Sequence, residues 1–533
     1  CARNAPPNWE LATGLRAVEV DRAGYGRYRA ENYDELVDCP VELGAFYNGA
    51  FEAGGVPHRF VVAGATASLD HARLLADTQK ICETQLAFWH PDGESAPFSN
   101  YLFLLNAVGD GYGGLEHKNS TALIANRADL PQLGGMQGAT TPPTEAAQAV
   151  STASGGAADN VGEAEPNVLR SALLAAARAG AEAAAAPNQH DGYVTLLGLI
   201  SHEYFHSWNV KRLRPAEFAR YDYKQENYTE LLWFFEGFTS YYDDLVLRRA
   251  GLVHDNAYLK LLGKSINQLR QTPGRLVQSV AESSFDAWVK FYRPDEGTPN
   301  GTVSYYGKGA LVALCLDLTL RAEADANLDQ VMRALWSHCQ AGPMREADLL
   351  AVLERIGGRS YAPELAAWVH GTGELPLQRL LATQGVNVLE ERSQIAQRLG
   401  LRVVEGTAEN LGIVVKTVLS ASAAERAGLA AGDEWIGIRL PRADDPTQRR
   451  SNTSAQDTSE PDRKSDKSGD AWRLRKLEEL PMYLGDATTF TALVARDQRL
   501  LELPFVMPKD DHTWRLALRD AARARIWLSG SSA

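Results

Sequence analysis

The sequence predicts a multidomain α+β protein: the remnant of a β-rich N-terminal domain, a middle region that is mixed and then mainly helical, and a C-terminal β-rich module. Three changes of pattern along the 533 residues carry this reading. Strand-like and helix-like runs alternate from His58, helical periodicity takes over from Tyr193 to about Leu381, and short β-rich runs begin near Asn387. The length itself corresponds to roughly three domains.

The opening stretch reads as short strands and turns, with Tyr25–Tyr28 and Pro40–Phe46 in extended contexts. It holds too little apolar sequence for a complete domain. Residues 1–56 are therefore expected to be the end of a β-rich domain, in a chain that is a fragment or begins late. His58–Ala63 reads as a strand, Leu69–Trp89 as an amphipathic helix and Tyr101–Val108 as a buried strand. Residues 132–190, rich in Ala, Gly, Thr, Pro and Glu, break the pattern as a low-complexity insertion, in which the Ala run Ser171–Ala186 is helical on propensity. Helical periodicity then marks Tyr228–Leu247, Ala310–Arg321 and Leu328–Trp336. The middle unit is placed at 57–385, the C-terminal module at 386–510 with a polar insertion at 445–470, and a tail at 511–533.

With 45% hydrophobic and 23% charged residues the chain has globular composition. Fifty-four basic against 67 acidic side chains leave a net charge of −13, which argues against nucleic acid as a partner. The apolar runs Val194–Ile200 and Leu311–Cys315 are too short to span a membrane. Five scattered cysteines without a C-x-x-C pair favour a reducing, cytoplasmic setting, while a start at Cys1 leaves a periplasmic or secreted location open.

The strongest chemical signal is His202-Glu203-Tyr204-Phe205-His206, which follows the apolar run Val194–Ile200. At i and i+4 on a helix both imidazoles leave the same face, as two ligands of one metal ion require, and the intervening glutamate lies within reach of a water there. A catalytic zinc takes a third protein ligand. Glu236 suits it, because a carboxylate set among Trp233, Phe234, Phe235 and Phe238 is costly unless a cation neutralises it. Glu226 and Glu230 compete from more polar surroundings.

His202–Pro215 (HEYFHSWNVKRLRP), followed by Glu230–Tyr242 (ELLWFFEGFTSYY), resembles the glycyl aminopeptidase family of gluzincin metallopeptidases. The resemblance implies a thermolysin-like catalytic domain joined to a C-terminal PDZ domain. It implies one Zn2+ held by His202, His206 and Glu236, with Glu203 as general base, acting on peptides with a free N-terminus. Gly113-Gly114-Leu115-Glu116-His117 is similar to the Gly-x-Met-Glu-Asn stretch of related zinc aminopeptidases, which implies that Glu116 binds the substrate's α-amino group. Leu and His replace Met and Asn here. Ser304–Gly309 (SYYGKG) resembles a Tyr-x-Lys-Gly motif whose tyrosine donates to the oxyanion, implying Tyr306, with the adjacent Tyr305 as the alternative. Asn410–Val415, Ala423–Leu429 and Gly432–Ile436 resemble a PDZ domain, with Leu411, Gly412 and Ile413 at its carboxylate-binding loop and peptide C-termini as a second class of partner. The family name implies Gly or Ala as the released residue. Two other readings stay open: an endopeptidase with the same metal site, and a PDZ scaffold with a vestigial one.

Overall fold

The computed structural model describes residues 6–134, 190–406, 412–441, 470–509 and 512–531. The Ala run, nearly all of both insertions and Leu411 lie outside the described residues.

The N-terminal piece is built from two small antiparallel ribbons. Strand β1 (Glu10–Thr13) and β4 (Val41–Gly44) form one, and β2 (Arg16–Val20) and β3 (Gly26–Arg29) the other. Between them a short helix, Tyr33–Val37, starts at Asn32, whose side chain accepts from the Glu35 amide, and it stops at Asp38.

A five-stranded sheet follows. It comprises β5 (Tyr47–Ala53), β6 (Val56–Ala63), β7 (Tyr101–Val108), β8 (Gly113–Glu116) and β9 (Ser120–Asn126), in the order β5-β6-β7-β9-β8. The central pairs are parallel and both edge strands antiparallel. Alternation along the strands sorts side chains to two faces. Phe60, Val62, Phe103 and Leu105 join the main core, whereas Val61, Leu102 and Leu104 pack with Ala12 of the N-terminal piece. Helix α1 (His71–Trp89) crosses between β6 and β7. Asp70 caps it by accepting from the Arg73 amide, so it begins two residues later than the apolar period suggested.

The helical half contains α2 (Asp191–Phe205), α3 (Leu232–Arg249), α4 (Asp255–Arg270), α5 (Tyr305–Glu323) and α6 (Leu328–His338). Helix α3 starts at Leu232, not at Tyr228. Asn227 and Thr229 spend their side chains on local backbone amides, those of Asp222 and Leu231, and hold the preceding segment in turns. Helices α3 and α5 touch backbone to backbone: a Cβ on Gly237 would fall 2.5 Å from the Gly309 Cα. No helix among the described residues is long and apolar enough to cross a membrane.

Strand β10 (Val386–Arg392) leads into the C-terminal module. The module's sheet runs β11 (Leu401–Glu405), β12 (Ile413–Val418), β13 (Glu434–Arg439), then β15 (Thr489–Arg496) and β16 (Arg499–Val506), with β14 (Ala471–Arg473) also on β13. Leu399, Val415, Trp435, Phe490 and Phe505 form its own core. The last segment, read above as a tail, returns to the main core. Strand β17 (His512–Leu518) pairs along the whole of β10, and in helix α7 (Ala521–Ser529) the buried Trp527 donates its indole N–H to Tyr241 at 3.1 Å.

Candidate metal centre

Helix α2 is held by Leu196, Leu197, Ile200, Tyr204 and Phe205, all buried, each of which contributes about 1.5–3 kcal/mol by leaving water. That anchoring fixes the opposite side of its last turn. His202 and His206 stand there with ring centroids 4.6 Å apart. From α3, Glu236 Oε2 comes to 3.4 Å from His202 Nε2 and 3.2 Å from His206 Nε2. Their three ligand atoms lie within 4.8 Å of one another, the one such cluster of His, Cys, Asp or Glu among the described residues. The Gly237–Gly309 contact sets how close α3 sits to α5, and so places Glu236 beside Tyr306.

The outer ring nitrogens are committed. His206 Nδ1 lies 2.7 Å from the Asn209 carbonyl, which can only accept, so Nδ1 carries a proton and Nε2 is the ring nitrogen turned to Glu236. His202 Nδ1 is 3.2 Å from Asp243 Oδ2. Asn209 in turn donates to the Phe235 carbonyl (3.1 Å) and to Thr239 (3.2 Å), tying the loop after α2 to α3. Burial opposes charge on Glu236, yet the facing His206 and His202 prevail and hold its carboxyl well below the usual range. Two imidazole nitrogens and one carboxylate oxygen turned to a common point are the donor set that fits zinc.

Glu203 is buried beside this trio. Burial, with the negative charges of Glu116 and Glu236, raises its carboxyl to about 7 against the pull of His202 and His206. Its Oε2 is buried and has no hydrogen-bond partner among the described residues. Edge strand β8 passes directly over it. Gly114 lies so close that a Cβ there would meet Glu203 Oε1 at 2.1 Å. Glu116, two residues on, acts through its charge on Glu203, His206 and Lys211, and among the described residues its carboxylate makes no hydrogen bond or ion pair.

Of the two adjacent tyrosines, Tyr305 is wholly buried, whereas Tyr306 is partly exposed with its ring centroid 6.1 Å from that of His202. Burial first, then Glu236, raises the Tyr306 hydroxyl far above its ordinary range, so it stays a donor. Gly412 and Ile413 sit apart, in the C-terminal module. Ile413 is buried at the start of β12, which pairs with β11 on one side and β13 on the other. Among the described residues Ile413 thus has a strand on either side and no free edge beside it.

The segment matched by the family model described as M61 glycyl aminopeptidase, residues 195–312, contains the two histidines, Glu203, Glu236 and Tyr306, and the model of the Peptidase M61 N-terminal domain matches residues 3–45. An aminopeptidase N family protein from Idiomarina loihiensis superposes with a TM-score of 0.75 at 30% identity, over 98% of this chain and 77% of its own. The chain belongs to the M61 glycyl aminopeptidase family. It is a peptidase, hence a hydrolase. An M1 zinc metallopeptidase from Deinococcus radiodurans superposes with a TM-score of 0.38 at 14% identity, over 70% of this chain and 63% of its own; a mutant M1 zinc metallopeptidase from that organism bound to a Tyr-Ser-Ala substrate gives 0.37. No curated protein sequence matches.

Three residues of this M61 site escaped the sequence reading. Asp243 carried a signal, since it stands seven residues after Glu236 and so on the same helical face. Asn209 acts through its main-chain carbonyl and carried none. Asp38 lies far away in sequence, yet its carboxylate meets Lys211 at 2.7 Å and His117 at 3.3 Å.

Proposed function

We propose that this chain is a zinc aminopeptidase that removes single residues, small ones such as Gly or Ala, from the free N-terminus of peptides. His202, His206 and Glu236 hold one Zn2+, Glu203 is the general base, Tyr306 is the oxyanion donor, and Glu116, reached across Gly113 and Gly114, anchors the α-ammonium. Bound zinc supplies Lewis acidity where the three ligand atoms converge. Glu203 takes a proton from the attacking water and returns it to the leaving amine, for which a carboxyl near 7 is well matched. The Tyr306 hydroxyl donates to the oxygen that gains charge at the scissile carbonyl.

The observation that carries the exopeptidase reading is the unpaired Glu116 carboxylate, close enough to act on both Glu203 and His206. A group of that charge at that place pairs with an ammonium and limits how much peptide lies on the N-terminal side of the cut. The domain division is proposed as 1–56, 57–385 and a PDZ-like module within 386–510, with 511–533 packed on the peptidase lobe. Four described cysteines, all free, support a cytoplasmic setting.

An Ala-Gly-rich peptide, free and N-acetylated, offered to the zinc-loaded protein and followed by mass spectrometry, tests this. Stepwise loss of single residues from the free form alone is expected. Internal cleavage of both forms would make the enzyme an endopeptidase, and no cleavage of either would leave the scaffold reading.

A further inference from the structure

A cleft of about 1170 Å3 runs between α4 and the C-terminal module. One wall is a single face of α4, where Asn256, Lys260, Lys264, Asn267 and Gln271 recur at helical spacing. The other carries Arg392 from β10, Arg402 from β11 and Arg515 from β17. At one end Gln268 is shared with a cavity of about 290 Å3 whose lining includes Tyr306, Asp243 and Asp244. Gln268 thus borders both the cleft and the cavity lined by Tyr306.

Its charge is the reverse of the chain's. Among the described residues five cationic side chains line it against a single acid, Glu391, in a protein of net charge −13. Glu391 is paired with Arg515, and Lys260 with Asp191. Lys264, Arg392 and Arg402 are exposed, and among the described residues no carboxylate lies within ion-pair distance of any of them. Among the described residues strand β11 ends its sheet and pairs only with β12, so its outer edge offers backbone N–H and C=O groups to an extended chain.

We propose that this cleft holds the downstream part of the peptide substrate and that Lys264, Arg392 and Arg402 receive its C-terminal carboxylate. Short peptides with a free carboxylate are then the substrate class. The proposal rests on the aminopeptidase reading. With the ammonium at Glu116 and the carbonyl at the zinc ligands, the rest of the peptide leaves past Tyr306 and Gln268. Lys264 is one helical turn from Gln268, about 6 Å along the axis. An extended chain covers that in about two residues.

The test compares a Gly-rich tetrapeptide as free acid and as C-terminal amide, with the parent and with Lys264→Glu/Arg402→Glu. In the parent, kcat/KM for the acid exceeds that for the amide about tenfold, the contribution of one charge-assisted contact at an exposed site, and the difference lies in KM. In the double variant the ratio falls to about one. A binding arm by calorimetry uses the same peptides with Glu203→Gln, and with Glu203→Gln carrying both cleft substitutions. Absence of turnover by the parent would overturn the aminopeptidase reading alone, because the binding arm still reports the acid-over-amide preference. Equal affinity of Glu203→Gln for acid and amide, or a preference that survives the cleft substitutions, overturns the proposal. Both residues are exposed, and the milder Lys264→Gln/Arg402→Gln serves should the charge reversals unfold.

Discussion

Gly114 and Glu203 are in direct contact: a methyl group on Gly114 would lie 2.1 Å from one carboxylate oxygen of Glu203 and 2.5 Å from its Cγ. Gly114 is solvent-exposed in an edge strand, at a position where nothing else requires a glycine. Its hydrogen atom is what leaves room for the proposed base.

Gly114→Ala therefore displaces the Glu203 carboxylate without touching the core. The expected outcome is a fall of about 10²-fold in kcat/KM, the cost of a roughly 1 Å misplacement of a catalytic group. Thermal stability and zinc content stay at the parent level. Retention of full activity would mean that Glu203 moves freely or is not the base.

Asp243 acts through His202. Removing the carboxylate 3.2 Å from His202 Nδ1 frees the ring to rotate and makes its other nitrogen a poorer donor. Asp243→Ala is expected to weaken zinc binding by about 10–100-fold in competition with a chelator, and Asp243→Asn, which still accepts from Nδ1–H, by less. A purely structural role would lower the melting temperature and leave metal affinity alone.

Tyr306→Phe removes one hydroxyl and keeps the ring that stacks on Tyr305 and Phe291. Loss of a positioned oxyanion donor lowers kcat by about 10²–10³-fold, with KM little changed. Tyr305→Phe is the control. It lies wholly buried behind Tyr306 and should affect stability more than turnover.

The sheet strands that include His58–Ala63 and Tyr101–Val108, the long helices and the grouping of His202, His206 and Glu236 were legible in the sequence because each depends on local spacing. An i, i+4 pair needs only a helix, and Val194–Ile200 supplies a strong one. Residues whose roles depend on tertiary approach were not legible. Gly237 and Gly309 carry no local signal of the backbone contact at which their helices cross. Gly114 stood in the sequence only as a neighbour of Glu116, although the side chain it touches is 89 positions later. The carboxylate loop placed at Leu411–Ile413 shows the same limit. A PDZ-like text says that some strand is open to a partner, but the sheet order decides which, and among the described residues the end strands are Leu401–Glu405 and Arg499–Val506.

Asp38 was invisible for a related reason, and it yields a pH prediction. Its carboxylate meets Lys211 at 2.7 Å and His117 at 3.3 Å, and accepts from the Lys118 amide at 2.8 Å. Lys211 follows the metal-site histidine closely, its amide donating to the His206 carbonyl at 3.0 Å. Asp38 thus ties the N-terminal piece to the loop that shapes the site. Burial alone would raise this carboxyl, but the hydrogen bonds and positive charge of its partners hold it at about 2. Folded-state depression of an acid contributes stability that is complete above the unfolded value and is lost as pH falls toward the folded one. For a group that titrates at 3.8 when free and about 2 here, the contribution is about 2 kcal/mol, present above pH 4 and lost between pH 4 and pH 2. Asp38→Asn should lower the free energy of urea unfolding by about that amount at pH 7, and parent and variant should converge as the pH is taken from 4 toward 2. A gap as wide at pH 3 as at pH 7 would show that the carboxylate's charge is not what secures the contact.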